Sequence, residues 1–259
     1  MEEFVPLWRR ATGAELAWVG ADGVPGALTA VPLLDGAVPC VALTFDRAEV
    51  LPALAGAPAA AFAVTDSRSL PGGAGGLAAV GRFSVTAGVE ELDDDLLTQE
   101  LRKFPPARAL VDSPLLRREN WWYLPRIVVR LDRVERTVPL PARRDAAADA
   151  LLVRDDGAGL RLDVVSASDW TAERIPLRSD DPLHGDGAPT LAHGHDHSPD
   201  RERWEAWQVR GALRGDTLDA TERAGRPGLP PGAPRLLERL RRARQLERAC
   251  RHGIAAAGR

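Results

Sequence analysis

The fold is decided by the stretch that begins Val41-Ala42-Leu43-Thr44-Phe45-Asp46-Arg47 and continues to Thr86. Its opening apolar run predicts a strand that leads into a short helix. A second apolar run ends at Val64-Thr65-Asp66-Ser67-Arg68, and a glycine-rich connection leads to Val80-Gly81-Arg82-Phe83-Ser84-Val85. Alternating apolar and polar residues are typical of strands with one buried face. Hydroxyl and arginine side chains therefore stand near the ends of several strands of one apolar sheet.

The same pattern extends on both sides of this stretch. Upstream, Asp22-Gly23 and Asp35-Gly36 are turn signals between strand-like runs. Downstream, an acidic start and a basic end predict a helix over 93–104, because these charges complement the helix dipole. The strand-like runs of this region are 15–20, 27–34, 38–45, 59–65, 77–86 and 123–138. We therefore predict a mainly β (α+β) fold with peripheral helices, one of them over 47–55 with Asp46 as its N-cap.

This order of elements resembles the FMN-binding split-barrel family, also called pyridoxamine 5′-phosphate oxidase-like. The resemblance implies a split β-barrel with Greek-key-like connections over residues 1–140. In that family, a Thr or Ser after the third strand is often followed by a Lys, and such side chains hold the FMN phosphate. Here the corresponding place reads Thr44-Phe45-Asp46-Arg47, with arginine in place of lysine. Asp46 departs from the pattern, since its carboxylate would repel a phosphate.

The candidate cofactor-binding residues are hydroxyls and arginines near strand ends, together with one aromatic residue. They are Thr44, Arg47, Thr65, Ser67, Arg68, Arg82 and Trp122. Arginine forms bidentate, charge-assisted hydrogen bonds with phosphate. The alternative is that the arginines are solvated surface charges and that the tryptophan packs in the core or at a subunit boundary. The resemblance implies FMN, with deazaflavin or haem as alternatives, and no catalytic side chain is identified.

The second part of the chain begins after a proline-rich linker at 139–144. Strand signals resume there as a hairpin within 151–166 and as two runs at 205–213 and 216–221. We predict a smaller α+β domain over 141–259, with a polar loop at 178–200 and a terminal amphipathic helix at 235–257. Two short segments resemble segments of the first part and favour a degenerate second half-barrel, although Asp-Gly turns are common. Residues 152–157 are similar in sequence to residues 18–23, and residues 209–212 are similar to residues 80–83.

The polar loop contains His193-Gly194-His195-Asp196-His197. Alternate histidines would face one side of an extended segment, and imidazole suits divalent metals. The neighbouring glycine, serine and proline residues favour a loop, so we predict no metal site. The glycine-rich run at 72–76 lacks the Gly-Lys-Ser/Thr of a phosphate-binding loop and is interpreted as a hairpin connection.

Composition excludes several classes of protein. The 259 residues carry a net charge of −3, which does not favour nucleic acid or an anionic membrane. The two cysteines, Cys40 and Cys250, cannot build a disulfide framework. The N-terminus lacks a basic segment followed by an apolar run, and the Ala- and Arg-rich composition is typical of a GC-rich bacterium. We expect a cytoplasmic protein that neither spans a membrane nor binds nucleic acid.

The resemblance implies a flavin-dependent oxidoreductase that acts on a small-molecule substrate. Members of the family are usually homodimers with flavin at the subunit interface. If residues 141–259 are a second half-barrel, one chain would instead form an intramolecular pseudo-dimer. The alternative is a non-catalytic binding or regulatory protein that has kept the split barrel and lost the cofactor.

Overall fold

A computed structural model describes residues 1–228 and 236–258. The described residues form two antiparallel sheets, and helices lie around the first of them. The predicted mainly β, split-barrel fold class is confirmed. Arg235, the first residue of the predicted terminal helix, lies outside the described residues, as does most of the proline- and glycine-rich segment before it.

The first sheet contains seven strands in the order β2-β1-β5-β6-β7-β4-β3. The strands are β1 (Ala14–Val19), β2 (Pro25–Ala30), β3 (Pro32–Asp35), β4 (Val38–Leu43), β5 (Ala59–Val64), β6 (Gly76–Glu91) and β7 (Pro125–Leu140). The helices are α1 (Phe4–Arg10), α2 (Leu51–Gly56), α3 (Asp94–Lys103), α4 (Arg108–Val111), α5 (Pro114–Glu119) and α6 (Leu236–Ala257). The predicted helix over 93–104 is confirmed, and Asp93 caps it by accepting from the amides of Asp95 and Leu96.

The second sheet contains six strands in the order β10-β13-β12-β11-β8-β9. They are β8 (Asp149–Asp155), β9 (Leu160–Ser166), β10 (Arg174–Pro176), β11 (Gly185–His197), β12 (Trp204–Gly215) and β13 (Thr217–Ala224). Setting β3 aside, the two sheets have matching topologies: β2-β1-β5-β6-β7-β4 in the first corresponds to β9-β8-β11-β12-β13-β10 in the second.

A glycine at a register shift recurs at matching positions in the two sheets. The β6·β7 pair shifts register at Gly81, and the β12·β13 pair shifts register at Gly211. A Cβ at Gly81 would overlap the carbonyl of Arg133, and one at Gly211 would overlap the carbonyl of Asp219. Both bulges therefore require glycine, because a partner strand approaches the Cα too closely for any side chain.

The two sheets pack against each other through a dry apolar layer. The first sheet contributes mostly alanines and the second sheet contributes leucines and valines. Members include Ala17, Ala61, Ala78, Leu151 and Leu191. Because alanine is short, the sheets can approach closely while the larger residues of the second sheet fill the space.

Helix α6 docks on the segment that follows β4. Gly253 lies so close to the Phe45 carbonyl that a Cβ there would overlap it, and Cys250 is fully buried. The residues at Phe45–Val50 form a 3₁₀ turn that precedes α2. Asp46 does not cap this turn, which corrects the predicted N-cap; its carboxylate accepts a hydrogen bond from the Thr44 hydroxyl instead.

The predicted polar loop at 178–200 is wrong over most of its length. Strand β11 (Gly185–His197) pairs with β12 on one side and with β8 on the other, so it is an interior strand. His193, His195 and His197 are buried against the first sheet. The composition indicates a loop, but hydrogen bonds across the two sheets allow these polar side chains to be buried.

Within the described ranges, no helix has both the length and the apolar character needed to cross a membrane.

Candidate functional site at the junction of the sheets

A buried carboxylate, Glu15 of β1, lies at the centre of the junction. Its Oε1 accepts hydrogen bonds from Thr65 Oγ1 at 2.6 Å and Arg143 Nη2 at 3.1 Å. It also lies 2.9 Å from His195 Nε2. Glu15 and His195 are 0% exposed. One carboxylate thus joins β1, the end of β5, the linker and β11.

The protonation states in this cluster follow from burial and from these contacts. Burial alone would raise the pKa of Glu15, but His195, Arg143 and Thr65 together lower it to about 2. Burial, with Arg143 nearby, lowers the pKa of His195, so its ring is neutral at physiological pH. Since Glu15 is ionised, His195 Nε2 carries the ring proton and donates a hydrogen bond to the carboxylate. Its Nδ1 is then an acceptor, and no described residue donates a hydrogen bond to it.

A second ionic group lies beside this carboxylate. Arg68 pairs with Asp66 at 2.7 Å and with Asp196 at 2.8 Å, which ties the end of β5 to β11. Burial would raise the pKa of Asp66, but the hydrogen bonds from Arg68 lower it to about 2. His197 Nε2 lies 3.6 Å from the Asp66 carboxylate, while its Nδ1 donates to the Ser198 carbonyl.

The third histidine extends the polar contacts toward β2. His193 Nε2 lies 2.9 Å from the Thr29 hydroxyl. Burial lowers the pKa of His193 to about 3, with a further contribution from His195. Gln208 donates to the Ala27 carbonyl at 2.8 Å from the second sheet. The alternate histidines of β11 therefore contact β1, β2 and the end of β5.

A small cavity of about 110 Å³ adjoins the Glu15 cluster. It is lined by Asp66, Ser67, Arg68, Arg143, Arg144, Ala146 and His195. The backbone positions this wall, because the Ser67 amide donates to the Arg143 carbonyl and the Arg143 amide donates to Thr65. The segment after β5 and the linker after β7 thus form one rigid edge.

A larger cleft of about 330 Å³ lies between the end of β7 and strand β9. One side is apolar, with Val138, Leu140, Leu162 and Val164 among its residues. The charged and polar residues that line it are Arg136, Arg161, Asp156, Asp163, Asp180, Asp181 and Ser179. Both arginines have internal partners: Arg161 lies 3.3 Å from Asp163, and Arg136 donates to the Leu160 carbonyl. The cleft therefore has more acidic than basic groups.

The structure brings together three of the seven residues predicted to bind a cofactor. Thr65, Ser67 and Arg68 lie at the end of β5, where Thr65 donates to Glu15 and the other two line the small cavity. This part of the predicted cluster faces the second sheet.

The other four predicted residues lie elsewhere. Thr44 donates to Asp46 in the segment under α6, and Arg47 lies 3.5 Å from the same carboxylate. The Arg82 side chain is 74% exposed and lies 3.5 Å from Glu135. Trp122 is buried in the first core, edge-on to Tyr123. The seven residues therefore do not line one pocket.

The central residues of the junction were not predicted. Glu15 is a single carboxylate within an apolar strand, and such a position signals a buried partner. Arg143 was assigned to a linker, and His195 to a loop. The alternate spacing of the histidines was the available signal, since in a strand it places all three on one face.

The residues present do not fit FMN. The small cavity is far below the range of roughly 300–1,000 Å³ that encloses whole cofactors. In the cleft, a phosphate would lie near Asp156, Asp163, Asp180 and Asp181, while the two arginines are already paired. Within the described residues, no three His, Cys, Asp or Glu side chains are arranged to hold a metal ion.

Comparison with known proteins finds similar solved structures at low sequence identity. No protein-family model matches the chain, and no curated protein matches it. The haem storage protein HutZ from Vibrio cholerae is 16% identical with a TM-score of 0.38, over 54% of this chain and 95% of that one. A haem-binding protein from Mycobacterium smegmatis is 13% identical with a TM-score of 0.30, over 95% of this chain and 96% of that one.

A third solved structure is a pyridoxamine 5′-phosphate oxidase-related, FMN-binding protein from Nostoc punctiforme. It is 13% identical with a TM-score of 0.31, over 70% of this chain and 96% of that one. These TM-scores all lie below 0.5, so the three structures are similarities only. The ligand and the activity are argued below from the residues of this chain alone.

Proposed function

We propose that this protein is a non-catalytic, small-molecule-binding protein on a split-barrel fold, and that its ligand occupies the cleft between β7 and β9. One observation carries the proposal: the cleft combines ligand-sized volume with an apolar wall, and its carboxylates outnumber its arginines. A volume of about 330 Å³ lies at the lower end of ligand pockets. The seven residues predicted for a flavin are divided among the small cavity, the α6 contact, the exposed face of β6 and the core.

The chemistry of the cleft indicates the class of ligand. Apolar residues on β7 and β9 would contact a flat or aliphatic surface. Four aspartates line the cleft against two arginines, so an anionic group there would meet net repulsion. The ligand is therefore an uncharged or cationic molecule with an apolar face, and Asp180 and Asp181 are the exposed carboxylates that would bind its donors.

We also propose that the chain is a single-chain counterpart of a split-barrel dimer, with halves at 1–140 and 141–259. The shared strand order and the matching glycine bulges support this arrangement. The contacts between sheets that a homodimer would make between subunits lie within this one chain. The cleft is accordingly formed by both halves, with β7 from one and β9 from the other.

A flavin-dependent oxidoreductase is the second candidate function. It is favoured by Arg136, Arg161 and Ser179, which lie together at the cleft and offer the donor types that a flavin phosphate needs. FMN and a deazaflavin would supply hydride chemistry if they were bound. In this alternative, the arginines would have to exchange their present partners for the phosphate.

A ligand screen distinguishes the two functions. The purified protein is expected to lack flavin absorption, and excess FMN, deazaflavin or haem is expected to leave its melting temperature unchanged. Uncharged or cationic metabolites with an apolar part are expected to raise it, since ligands stabilise the state that binds them. Stoichiometric FMN with reduction by a nicotinamide would instead establish the oxidoreductase.

Two variants place the binding in the cleft. Ala158 is an exposed residue of the cleft wall, so Ala158→Trp should block the cleft without disturbing the core. Ala87→Trp, on the exposed part of β6, is the matched control. Loss of the ligand-induced shift in Ala158→Trp alone is expected. Equal shifts in both variants would exclude the cleft as the binding site.

A further inference from the structure

The small cavity beside Glu15 has a chemistry different from that of the cleft. Its wall carries three arginines, Arg68, Arg143 and Arg144, against one carboxylate, Asp66. It also includes His195, whose imidazole is fully buried. Arg68 is paired with Asp66 and Asp196, and Arg143 is paired with Glu15, so Arg144 supplies the guanidinium charge that no described carboxylate neutralises. The cleft has an acidic surplus instead, so the two spaces differ in charge.

The arginines keep donors that their present partners do not use. The Arg143 guanidinium donates to Thr65, Glu15 and the Asp149 carbonyl, which leaves part of its five N–H groups free. Arg144 is exposed, and its side chain forms no ion pair within the described residues. A charged group in the cavity would therefore meet guanidinium donors on two sides.

His195 requires a hydrogen-bond donor, which an anion without an O–H or N–H group does not supply. Its Nε2 donates to Glu15 at 2.9 Å, and its Nδ1 has no hydrogen-bond partner among residues 1–228 and 236–258. An unpaired buried acceptor is costly, and a donor that reaches it recovers that cost. A ligand that suits this cavity carries oxyanion atoms for the arginines and one hydroxyl for His195.

We infer that the cavity lined by Ser67, Arg143, Arg144 and His195 is a binding site for a small oxyanion that also carries an O–H group, the chemistry shared by hydrogen phosphate and by small phosphate esters that bear an alcohol hydroxyl. The volume of about 110 Å³ admits a group of this size and no flavin ring. The Ser67 hydroxyl and the guanidinium groups face the anionic oxygens, and the ligand hydroxyl donates to His195 Nδ1. The site is independent of the ligand proposed for the cleft.

The test uses calorimetric titration of the full-length chain with inorganic phosphate, with glycerol 3-phosphate and with sulfate at neutral pH. Sulfate matches phosphate in shape but has no proton to donate, so it should bind roughly tenfold more weakly than phosphate. Tighter binding of glycerol 3-phosphate would identify a monoester as the ligand, and tighter binding of phosphate the free ion. Either result supports the site.

Variants separate this site from adventitious binding. Arg144→Ala should weaken phosphate binding roughly tenfold, because a charge-assisted hydrogen bond is lost. Arg82→Ala removes another exposed arginine, on β6 and away from the cavity, and should leave phosphate binding unchanged. Ala158→Trp, which blocks the cleft, should also leave phosphate binding unchanged. Equal affinities for phosphate and sulfate, with no difference between Arg144→Ala and Arg82→Ala, would show an adventitious ion only and overturn the inference.

Discussion

At the scale of single residues, the junction depends on a carboxylate that water cannot reach. Glu15 has three donors on one oxygen, from Thr65, Arg143 and His195. Burial of an ion is costly, and these partners offset that cost only while all of them stay in place. The cluster therefore favours one relative position of β1 and β11, because a shift of either strand would separate the carboxylate from His195.

Replacement of Glu15 tests how much this carboxylate contributes to the free energy of unfolding. Glu15→Gln keeps the shape but leaves Arg143 without its buried anion, so the free energy of unfolding should fall by about 3 kcal/mol. Asp35→Asn is the matched control, since Asp35 pairs with Arg130 at an exposed position and should cost less than about 1 kcal/mol. Urea denaturation measures both variants. Equal losses would contradict a special role for Glu15.

The buried histidine should make stability depend on pH. The pKa of His193 is about 3 in the folded protein, against an ordinary value of 6.5. As the pH falls, the histidine of the unfolded chain therefore takes up a proton before the histidine of the folded protein does. Stability is fully present above pH 6.5 and falls as the pH drops toward 3, by up to about 1.4 kcal/mol per pH unit for this group. Below pH 4.5, Glu15 adds to the loss, because its folded pKa is about 2.

Urea denaturation at a series of pH values measures this dependence. His193→Asn should reduce the slope of the curve between pH 6.5 and 4.5 relative to the unmodified chain, since the asparagine does not titrate. The remaining slope comes from His195 and His197, whose pKa values are also lowered by burial. A curve that is flat over this window in the unmodified chain would show that the histidine is not held in a buried, neutral state.

At the scale of elements, the two bulges show that a glycine can be fixed by a neighbouring strand. Gly81 and Gly211 each lie where a partner carbonyl occupies the space that a Cβ would need. Both occur at register shifts between two paired antiparallel strands, where a bulge increases the local bend and twist. The bulges thus shape both halves of the molecule in the same way.

Substitution at one bulge has a clear expectation. Gly211→Ala forces the β12·β13 pair apart and should lower the free energy of unfolding by about 2 kcal/mol. Gly72→Ala is the control, because a Cβ at Gly72 meets nothing within 4 Å. Thermal unfolding compares the two variants. A similar melting temperature for both would contradict the close approach at the bulge.

Much of the first sheet could be predicted from the sequence. Turn dipeptides and alternating residues located β1, β2, β4 and β5, and the charges of α3 fixed its ends. Strand β11 could not be located by composition, because its histidines are buried only through partners in distant parts of the chain. Glu15 precedes His195 by 180 positions, and no local pattern connects them.

The predicted binding residues also show that a local sequence pattern cannot locate a site formed by distant parts of the chain. Thr65, Ser67 and Arg68 were found because they follow one strand, and a strand end keeps its residues together. Arg82 was included because it lies on a neighbouring strand, but its side chain points to solvent. Sequence spacing assigns a residue to an element, whereas the curvature of the sheet decides which pocket it reaches.

At the scale of the whole molecule, the second half repeats the strand order of the first and supplies the surface that covers it. The apolar layer of alanines against leucines and valines lies between the halves, and the polar cluster lies at its edge. One chain thereby forms a cleft and a cavity that each contain residues from both sides.

The proposal that one chain supplies both half-barrels is tested most directly by sedimentation velocity of the full-length protein over a range of concentrations. We expect a single species of 27.9 kDa that does not change on dilution, because the contacts between the sheets are already made internally. A species of twice that mass that persists at micromolar concentration would contradict the single-chain pseudo-dimer.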